Sequence, residues 1–381
     1  KESIELSKSL TQRFSFNLLS TLFGVIVRLV TNSLLPKALG PSSYGNYGYL
    51  ISIYDSIIYF FRTGIINAYY NYNCKNNNSY YMNRWFILYS FLVVGFILLI
   101  TSFSITYMQD IIWNNIKDVT VFVVFILVIA IEMQSIINNY GHSKSLTIPV
   151  QKIKICFLLL QLIVISILYY LSQLNIFSFS ITLIISNVLF SLFGVILFRR
   201  EKVICQLPDK TKQKPYSEIS KYIYNFSHPL FTLALFTSLG MFFDRWFFQN
   251  IVGSIDQGFF HFANRLSILI LVFNGAIIPI MQKELVGLNS NILLLQRKYE
   301  KFLLIFYFIS NFLVCCILFN INTIIDVFLN EQYRASYHVI LIVVFGTIFR
   351  SLGQFQNVLL ISMNKTKIIR NIGLIMAIVG F

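Results

Sequence analysis

Eleven runs of apolar residues, each close to the length that crosses a lipid bilayer, constrain this chain more than any other feature. They lie roughly at residues 14–35, 47–68, 84–106, 118–140, 150–172, 176–198, 221–243, 258–281, 300–322, 338–360 and from 367 to the end. An α-helix crosses the hydrocarbon core in about 20 residues, whereas a membrane β-barrel uses alternating segments of about ten. The runs therefore predict an all-α polytopic membrane protein.

The low charge content points the same way. Charged residues make up 12% of the chain, about half of the roughly 25% found in a soluble domain. Such a chain cannot cover a water-facing surface of ordinary size, which excludes a soluble enzyme and a nucleic-acid-binding module. The sequence has no P-loop, zinc-protease or nucleophile-elbow motif and no cysteine or histidine spacing typical of a metal site. We therefore predict a protein that is not an enzyme and has no metal, cofactor or nucleic-acid partner.

The distribution of lysine and arginine predicts the topology. If the N-terminus is cytoplasmic, 22 of the 30 basic residues lie in cytoplasmic stretches, four lie on the opposite side and four lie inside the runs. The cytoplasmic group includes Lys152 and Lys154 at the start of the fifth run. Cytoplasmic loops of membrane proteins carry such an excess. The net charge of +15 is thus mainly an orientation signal, with attraction to anionic membrane lipid added.

An internal repeat predicts two lobes. The pattern Leu/Val-Gly-x4-Gly-x-aromatic-x-aromatic occurs at 39–49 and again at 252–262, an offset of 213 residues. An offset that crosses six spans preserves orientation, so the repeat is parallel. We expect an N-terminal lobe at 1–200 with six helices, a cytoplasmic linker at 201–220 and a C-terminal lobe at 221–381 with five. A chance match between glycine turns at helix ends is the alternative.

The ends of the chain suggest that it is truncated. The sequence begins with Lys1 rather than methionine, and it stops at Phe381 within an apolar run. We expect at least one further helix after the C-terminal lobe as it stands here.

Arginines inside the spans are the main functional signal. A charge at the bilayer centre costs roughly 2.5–3.5 kcal/mol, so such residues must face protein or water. Arginine stays charged and binds phosphate through two parallel hydrogen bonds. We expect four arginines to meet in a positive cavity between the lobes and to bind a pyrophosphate: Arg28, Arg62, Arg265 and Arg350. Separate structural ion pairs are the alternative.

Other polar residues recur at three- and four-residue steps on the same helix faces. Seven of them are expected to line the cavity: Asn17, Asp55, Tyr59, His261, Asn264, Gln354 and Asn357. Three acidic residues are candidates for coupling transport to a cation: Asp55, Glu132 and Asp244. Simple ion pairing with nearby arginines is the alternative for these acids.

Three segments resemble polysaccharide flippases of the Wzx type, which belong to the multidrug/oligosaccharidyl-lipid/polysaccharide (MOP) exporter superfamily. Residues 34–47 look like the turn after the first helix of that family. Residues 244–266, which contain Asp244-Arg245 and Ala263-Asn264-Arg265, are similar to its second-lobe pattern. Residues 328–336 are similar to the loop before its tenth helix, although Asn330 stands where a glycine is usual.

The resemblance implies a V-shaped bundle of twelve to fourteen helices in the bacterial inner membrane, like that of multidrug and toxin extrusion (MATE) transporters. It implies flipping of an undecaprenyl-pyrophosphate-linked oligosaccharide, such as an O-antigen (lipopolysaccharide) or capsule repeat unit. Arg28, Arg62 and Arg265 lie in helices that match those carrying important lumenal arginines in related peptidoglycan-precursor flippases. A polysaccharide polymerase and a chain-length regulator are the implied protein partners.

Three other functions remain open at this stage. A MATE-like drug/cation antiporter would have an acid-rich cavity. A membrane polymerase or ligase of lipid-linked polysaccharide would be an enzyme with a long periplasmic loop and without the lobe repeat. A structural membrane scaffold would have little use for charges inside its spans.

Overall fold

The structure, a computed structural model, describes residues 10–75, 80–113, 116–144, 146–201, 216–288, 292–329 and 331–380, and these contain no β-strand. One helical segment, Leu10–Lys75, is divided at Gly40 into α1 (residues 10–39) and α2 (residues 41–75). The remaining helices are α3 (Tyr80–Tyr107), α4 (Asp118–Ser143), α5 (Thr147–Tyr170), α6 (Ile176–Arg200), α7 (Tyr216–Phe247), α8 (Ser254–Gly287), α9 (Ile292–Phe319), α10 (Ile321–Phe328), α11 (Ser336–Ser362) and α12 (Thr366–Gly380). Short π-helical turns follow α3 and α7, and a 3-10 turn precedes α11.

Each of the eleven predicted spans coincides with one of these helices, so the all-α polytopic fold is confirmed. Among the described residues, eight helical segments are long and apolar enough to cross a membrane. The other three predicted spans fall on α1, α8 and α12. The apolar part of α1 is the shorter helix Ser15–Thr31, and α12 has 15 residues. The short helix α10 lies between predicted spans.

The two copies of the glycine motif adopt the same backbone conformation. Gly40 has φ 73° and ψ 170°, and Gly253 has φ 111° and ψ 171°. A positive φ of this kind is accessible to glycine and costly for other residues. Gly40 also precedes Pro41, which disfavours a helical conformation at that position. The chain therefore breaks between α1 and α2, and again before α8, for the same physical reason.

The second glycines of the two motifs pack directly against each other. A Cβ on Gly45 would lie 1.8 Å from the carbonyl oxygen of Ser254, and a Cβ on Gly258 would lie 2.4 Å from that of Pro41. Pro41 and Ser254 are themselves related by the repeat offset, so the two contacts are equivalent. A local two-fold axis thus passes between α2 and α8. Their start, where the backbones touch, is called the glycine end below.

The largest apolar core surrounds the glycine end. It includes Tyr44, Tyr54, Trp113 and Tyr333, all buried. Tyr54 stacks on Trp113 with ring centroids 5.7 Å apart, and the hydroxyl of Tyr49 donates a hydrogen bond to the carbonyl of Ile112. Buried aromatic side chains contribute large apolar areas to such a core. The core joins helices from both halves of the sequence at this end.

The opposite ends of α2, α4, α8 and α11 also come together. The Asn71 side chain donates to the carbonyl of Ile361 at 2.9 Å, and the Lys283 ammonium lies 3.5 Å from the carbonyl of Ser143. This region, which contains Lys144 and Lys283 of the predicted cytoplasmic group, is called the basic end below. Of the predicted linker 201–220, residues 202–215 lie outside the described residues, and the lobe boundaries stay a prediction.

Candidate functional site

A cavity of about 580 Å³ lies between the glycine end and the basic end. Five helices from both halves of the chain, namely α2, α4, α7, α8 and α11, enclose it. Its lining mixes charged, amide, hydroxyl and apolar groups: Asp55, Ile58, Tyr59, Arg62, Thr63, Ile66, Asn67, Tyr70, Ile131, Glu132, Asn139, Met241, Ile278, Gln282 and Arg350. Two of the four predicted arginines, Arg62 from the first half and Arg350 from the second, therefore line one cavity.

Arg62 is paired with an acid. One guanidinium nitrogen lies 2.6 Å from Glu132 Oε1, and the other donates to Ser135 Oγ at 2.9 Å. The Arg62 side chain is 38% exposed and that of Glu132 is 18% exposed. The ion-pair alternative thus holds for this arginine, while its exposed part still faces the cavity.

Asp55 lies one and two turns before Tyr59 and Arg62 on the same face of α2. It is exposed, and no lysine or arginine lies within 4.0 Å of it in the described part of the chain. It interacts electrostatically with Arg265, Glu132 and Arg62. This acid therefore connects the charged groups of α2 and α4 with those of α8.

Arg350 is exposed on α11 and has a second arginine nearby. Arg245, at the end of α7, interacts electrostatically with Asp244 and with Arg350. Its guanidinium carbon stands 4.1 Å above the ring of Phe260, a geometry that stabilises the cation. Asp244 itself is exposed. Arg245 is therefore a further cation near the cavity, and it was not among the four arginines predicted to bind the pyrophosphate.

Arg28 and Arg265 form the other half of the predicted set. Arg28 is exposed on α1 and interacts electrostatically with Arg265, which is half-buried on α8. Arg265 Nε lies 3.3 Å from His261 Nε2. The charges therefore interact in sequence: Arg28 with Arg265, Arg265 with Asp55, and Asp55 with Arg62.

His261 is a packing residue that also orients Arg265. It is buried, and its ring makes edge contacts with Tyr44 at 5.1 Å and Tyr47 at 6.1 Å between centroids. A Cβ on Gly48 would lie 2.4 Å from the His261 ring. The close approach of α2 and α8 therefore fixes the position of the His261 ring. The ring in turn positions the Arg265 guanidinium through the contact between Nε and Nε2.

The other predicted lining residues have several different environments. Asp55 and Tyr59 line the cavity. Asn17 is buried in α1, where its carbonyl accepts from Ser20 and Thr21. Asn264 donates to the carbonyl of its own helix at Phe260, 2.8 Å away. Gln354 is half-buried and Asn357 is exposed on α11.

Five polar lining residues were not predicted from the sequence although their signal was present: Thr63, Asn67, Tyr70, Asn139 and Gln282. Thr63, Asn67 and Tyr70 continue the stripe of Asp55, Tyr59 and Arg62 by further helical steps along α2. Gln282 lies on α8 one turn after Ile278. Asn139 and Ser135 on α4 follow Glu132 in the same way. The polar face of α2 is therefore longer than was predicted.

A second, apolar pocket of about 110 Å³ adjoins the cavity between α2, α3 and α4. The Arg62–Glu132 pair borders both spaces. In the described residues no group of three or more His, Cys, Asp or Glu side chains could hold a metal ion.

No protein-family model and no curated protein sequence matches this chain. Solved structures do match it. An outward-facing multidrug resistance MATE family transporter of the MOP superfamily is 15% identical with a TM-score of 0.71, covering 96% of this chain and 86% of the other. The MATE transporter VcmN of Vibrio cholerae, in a mutant form, is 13% identical with a TM-score of 0.66 and the same coverage.

A third match is a MOP superfamily transporter from Pyrococcus furiosus, whose binding pocket is described as having reverse polarity and as suggesting a different function. It is 16% identical with a TM-score of 0.67, again covering 96% of this chain and 86% of the other. These structures are transporters rather than enzymes. The chain therefore has the fold of the MATE transporters of the MOP superfamily.

Proposed function

We propose that this protein flips an anionic lipid-linked oligosaccharide across a bacterial inner membrane, with its N-terminus in the cytoplasm. One observation carries the proposal. Arg62 from the first half of the chain and Arg350 from the second line one cavity, together with the acids Asp55 and Glu132. Glu132 is already neutralised by Arg62. Arg28, Arg245 and Arg265 lie within electrostatic reach of this site. Together with Arg350 they outnumber Asp55 and Asp244 by two, and this positive surplus favours an anion such as a diphosphate.

The parts of the substrate fit different parts of the protein. The diphosphate of an undecaprenyl carrier would bind the guanidinium groups of Arg28, Arg62, Arg265 and Arg350. The sugars would contact the polar cavity wall, where Tyr59, Asn67 and Gln282 offer hydroxyl and amide groups. The polyprenyl chain remains in lipid. A polymerase and a chain-length regulator would use the O-antigen or capsule unit that is delivered.

Transport would proceed by alternating access. The glycine end is closed by the Gly45–Gly258 contact, and the cavity lies between it and the basic end, where α2, α4, α8 and α11 come together again. Rocking of the two halves at that contact would open the basic end, and parting of the contact would open the glycine end. The candidates for ion coupling are Asp55, Glu132 and Asp244, and a cation or proton bound at any of them would alter the charge that the arginines face.

A drug/cation antiporter is the second candidate. The fold is that of MATE transporters, and Asp55 is an exposed acid in the cavity. The match from Pyrococcus furiosus supports the first candidate instead, because it indicates that pocket polarity varies among proteins of this fold. An antiporter of cationic drugs would have to overcome the repulsion of the arginines.

Reconstitution into proteoliposomes tests the choice. We expect the wild type to move a fluorescent polyprenyl-diphosphate oligosaccharide between leaflets, and the Arg28→Ala/Arg265→Ala variant to lose more than nine-tenths of that rate. Arg334→Ala is the matched control, because Arg334 is an exposed arginine outside the cavity, near Asp326 of α10 and Glu331 of the 3-10 turn. Flipping that persists in the double variant, or efflux of a cationic drug that depends on Asp55 alone, would refute the proposal.

A further inference from the structure

Lys154 lies within α5, one of the helices that are long and apolar enough to cross a membrane. It is the eighth residue of α5, which begins at Thr147, and seven helical rises place it about 10 Å beyond that residue. It is half-buried, whereas its neighbour Lys152 is exposed. The sequence analysis placed both lysines in the cytoplasmic stretch at the start of the fifth run, and that placement stays a prediction.

The packing of α5 against α1 fixes the side on which Lys154 lies. Ser20 Oγ donates to Gln151 Oε1 at 3.0 Å, and a Cβ on Gly24 would lie 3.1 Å from Leu158 Cδ1. Gln151, Lys154 and Leu158 are spaced by three and four residues, so they share one face of α5. Lys154 therefore lies between two points of contact with α1.

On α1, the next cation is Arg28, one turn beyond Gly24. Lys154 interacts electrostatically with Arg28, and Arg28 interacts with Arg265. In the described part of the chain no carboxylate lies within 4.0 Å of any of the three. We call Arg28, Lys154 and Arg265 the α1–α5–α8 cation cluster. It reaches from the first half of the chain to the second.

The cluster extends toward the basic end. His142, at the end of α4, interacts electrostatically with both Lys154 and Lys283. Cations thus follow one another from Lys283 through Lys154 and Arg28 to Arg265, beside Asp55 of the cavity. Like charges that are held close together in a low-dielectric region repel unless an anion neutralises them. The arrangement is that of an anion-binding path.

We propose that Lys154 binds phosphate together with Arg28 and Arg265, as a diphosphate-binding point between the basic end and the Arg62–Arg350 cavity. The inference rests on the proposed function, because it assigns a further residue to recognition of the same anionic substrate. Phosphate oxygens are the ligand chemistry, and either a lipid-linked or a soluble diphosphate could supply them.

Calorimetric titration of the full chain in nanodiscs of uncharged lipid tests this. The probes are a short-chain polyprenyl diphosphate and inorganic pyrophosphate. We expect Lys154→Gln to weaken binding about tenfold, the usual effect of losing one charge-assisted hydrogen bond. Lys152→Gln removes the same charge two residues away on the exposed face and should leave the affinity unchanged. Lys154→Arg should restore most of it.

The outcomes are distinct. Equal affinity in Lys154→Gln and Lys152→Gln, or no binding of either probe by the wild type, would overturn the assignment. Should Lys154→Gln unfold, Lys154→Arg and a shift of the wild-type affinity with ionic strength decide the matter, and a salt-independent affinity counts against it. Tighter binding of the polyprenyl probe identifies the lipid source, and equal binding identifies a soluble anion. If the wild type binds diphosphate and Lys154→Gln weakens that binding, but the wild type flips no oligosaccharide, the proposed function is refuted while the assignment of Lys154 stands.

Discussion

The glycine end and the Arg62 region both include α2 and α8, yet they differ in packing and in polarity. At the glycine end α2 and α8 touch backbone to backbone, because Gly45 and Gly258 have no side chains. About three to five turns further along, α2 carries Asp55, Tyr59 and Arg62, and the two helices enclose a polar cavity together with α4, α7 and α11. Close backbone packing fills the glycine end, whereas polar and charged side chains line the space beyond it. Glycine at the start of α2 and α8 thus gives a close backbone contact, which we call the pivot. Larger polar residues further along the two helices give a binding cavity.

The largest effect should come from filling the pivot. In Gly45→Ala the new Cβ would meet the Ser254 carbonyl at 1.8 Å, and this rigid backbone atom cannot move aside as a flexible side chain can. We expect a loss of about 3 kcal/mol or more, beyond the usual cost of overpacking, seen as poor yield and a lower melting temperature in detergent.

Gly95→Ala provides the control for this change. Gly95 lies within α3, and nothing stands within 4 Å of its Cβ position. Alanine is the better helix former, so this variant should be as stable as the wild type or slightly more so. Equal behaviour of the two alanine variants would mean that α2 and α8 do not touch.

Breaking the Arg62–Glu132 pair should have the next largest effect. Glu132→Gln leaves the Arg62 guanidinium without its carboxylate at 2.6 Å. Full burial would make the loss about 3–5 kcal/mol, but Arg62 is 38% exposed, so we expect about 1–2 kcal/mol in unfolding experiments. Flipping should slow as well, because the pair separates the polar cavity from the apolar pocket.

The pair Lys298–Glu284 is a matched control, since its atoms lie 2.9 Å apart with similar exposure but away from the cavity. Glu284→Gln should leave transport unchanged. A double-mutant cycle over Arg62 and Glu132 gives the coupling energy directly, and a coupling near zero would contradict the assigned role.

A smaller effect is expected at the junction of the two regions, where His261 links the pivot to Arg265. Replacing His261 with Asn removes the ring contacts to Tyr44 and Tyr47 and the nitrogen 3.3 Å from Arg265 Nε. We expect a three- to tenfold lower flipping rate and about 1 kcal/mol of destabilisation. Asn264→Ala is the control, because Asn264 bonds only within its own helix at Phe260. An equal loss of flipping in both variants would argue against the orienting role.

The sequence predicts the spans well and the site only in part. Lipid leaves long apolar helices as the available structure, so run length alone identifies α1 to α9, α11 and α12. The repeat was detectable because the positive φ of Gly40 and Gly253 requires glycine. The partner of Arg62 was not predictable, since Glu132 lies 70 residues away and reaches it only through the packing of α2 on α4.

The positions of two further cations, Lys154 and Arg245, were not predictable for the same reason. Lys154 lies near the start of a run, and nothing in the sequence shows that α5 packs beside α1 at that level. Arg245 was assigned to a span end, while its place above Phe260 depends on the turn between α7 and α8. Tertiary packing determines which side chains meet across two helices. The periodicity along a single helix does not predict these contacts.

The smallest effect is expected for Ser42→Ala. This variant tests whether hydrogen bonding or backbone proximity holds α2 and α8 together at the pivot. Ser42 and Ser254 share a hydrogen bond of 2.8 Å at the glycine end, and this bond is exposed to solvent. Water can replace it, so Ser42→Ala should cost at most about 0.5 kcal/mol and leave flipping unchanged. Gly45→Ala adds one methyl group at the same contact and should destabilise the protein far more. If Ser42→Ala proved as damaging as Gly45→Ala, hydrogen bonding rather than backbone proximity would hold the two halves together, and rocking about the glycines would lose its physical basis.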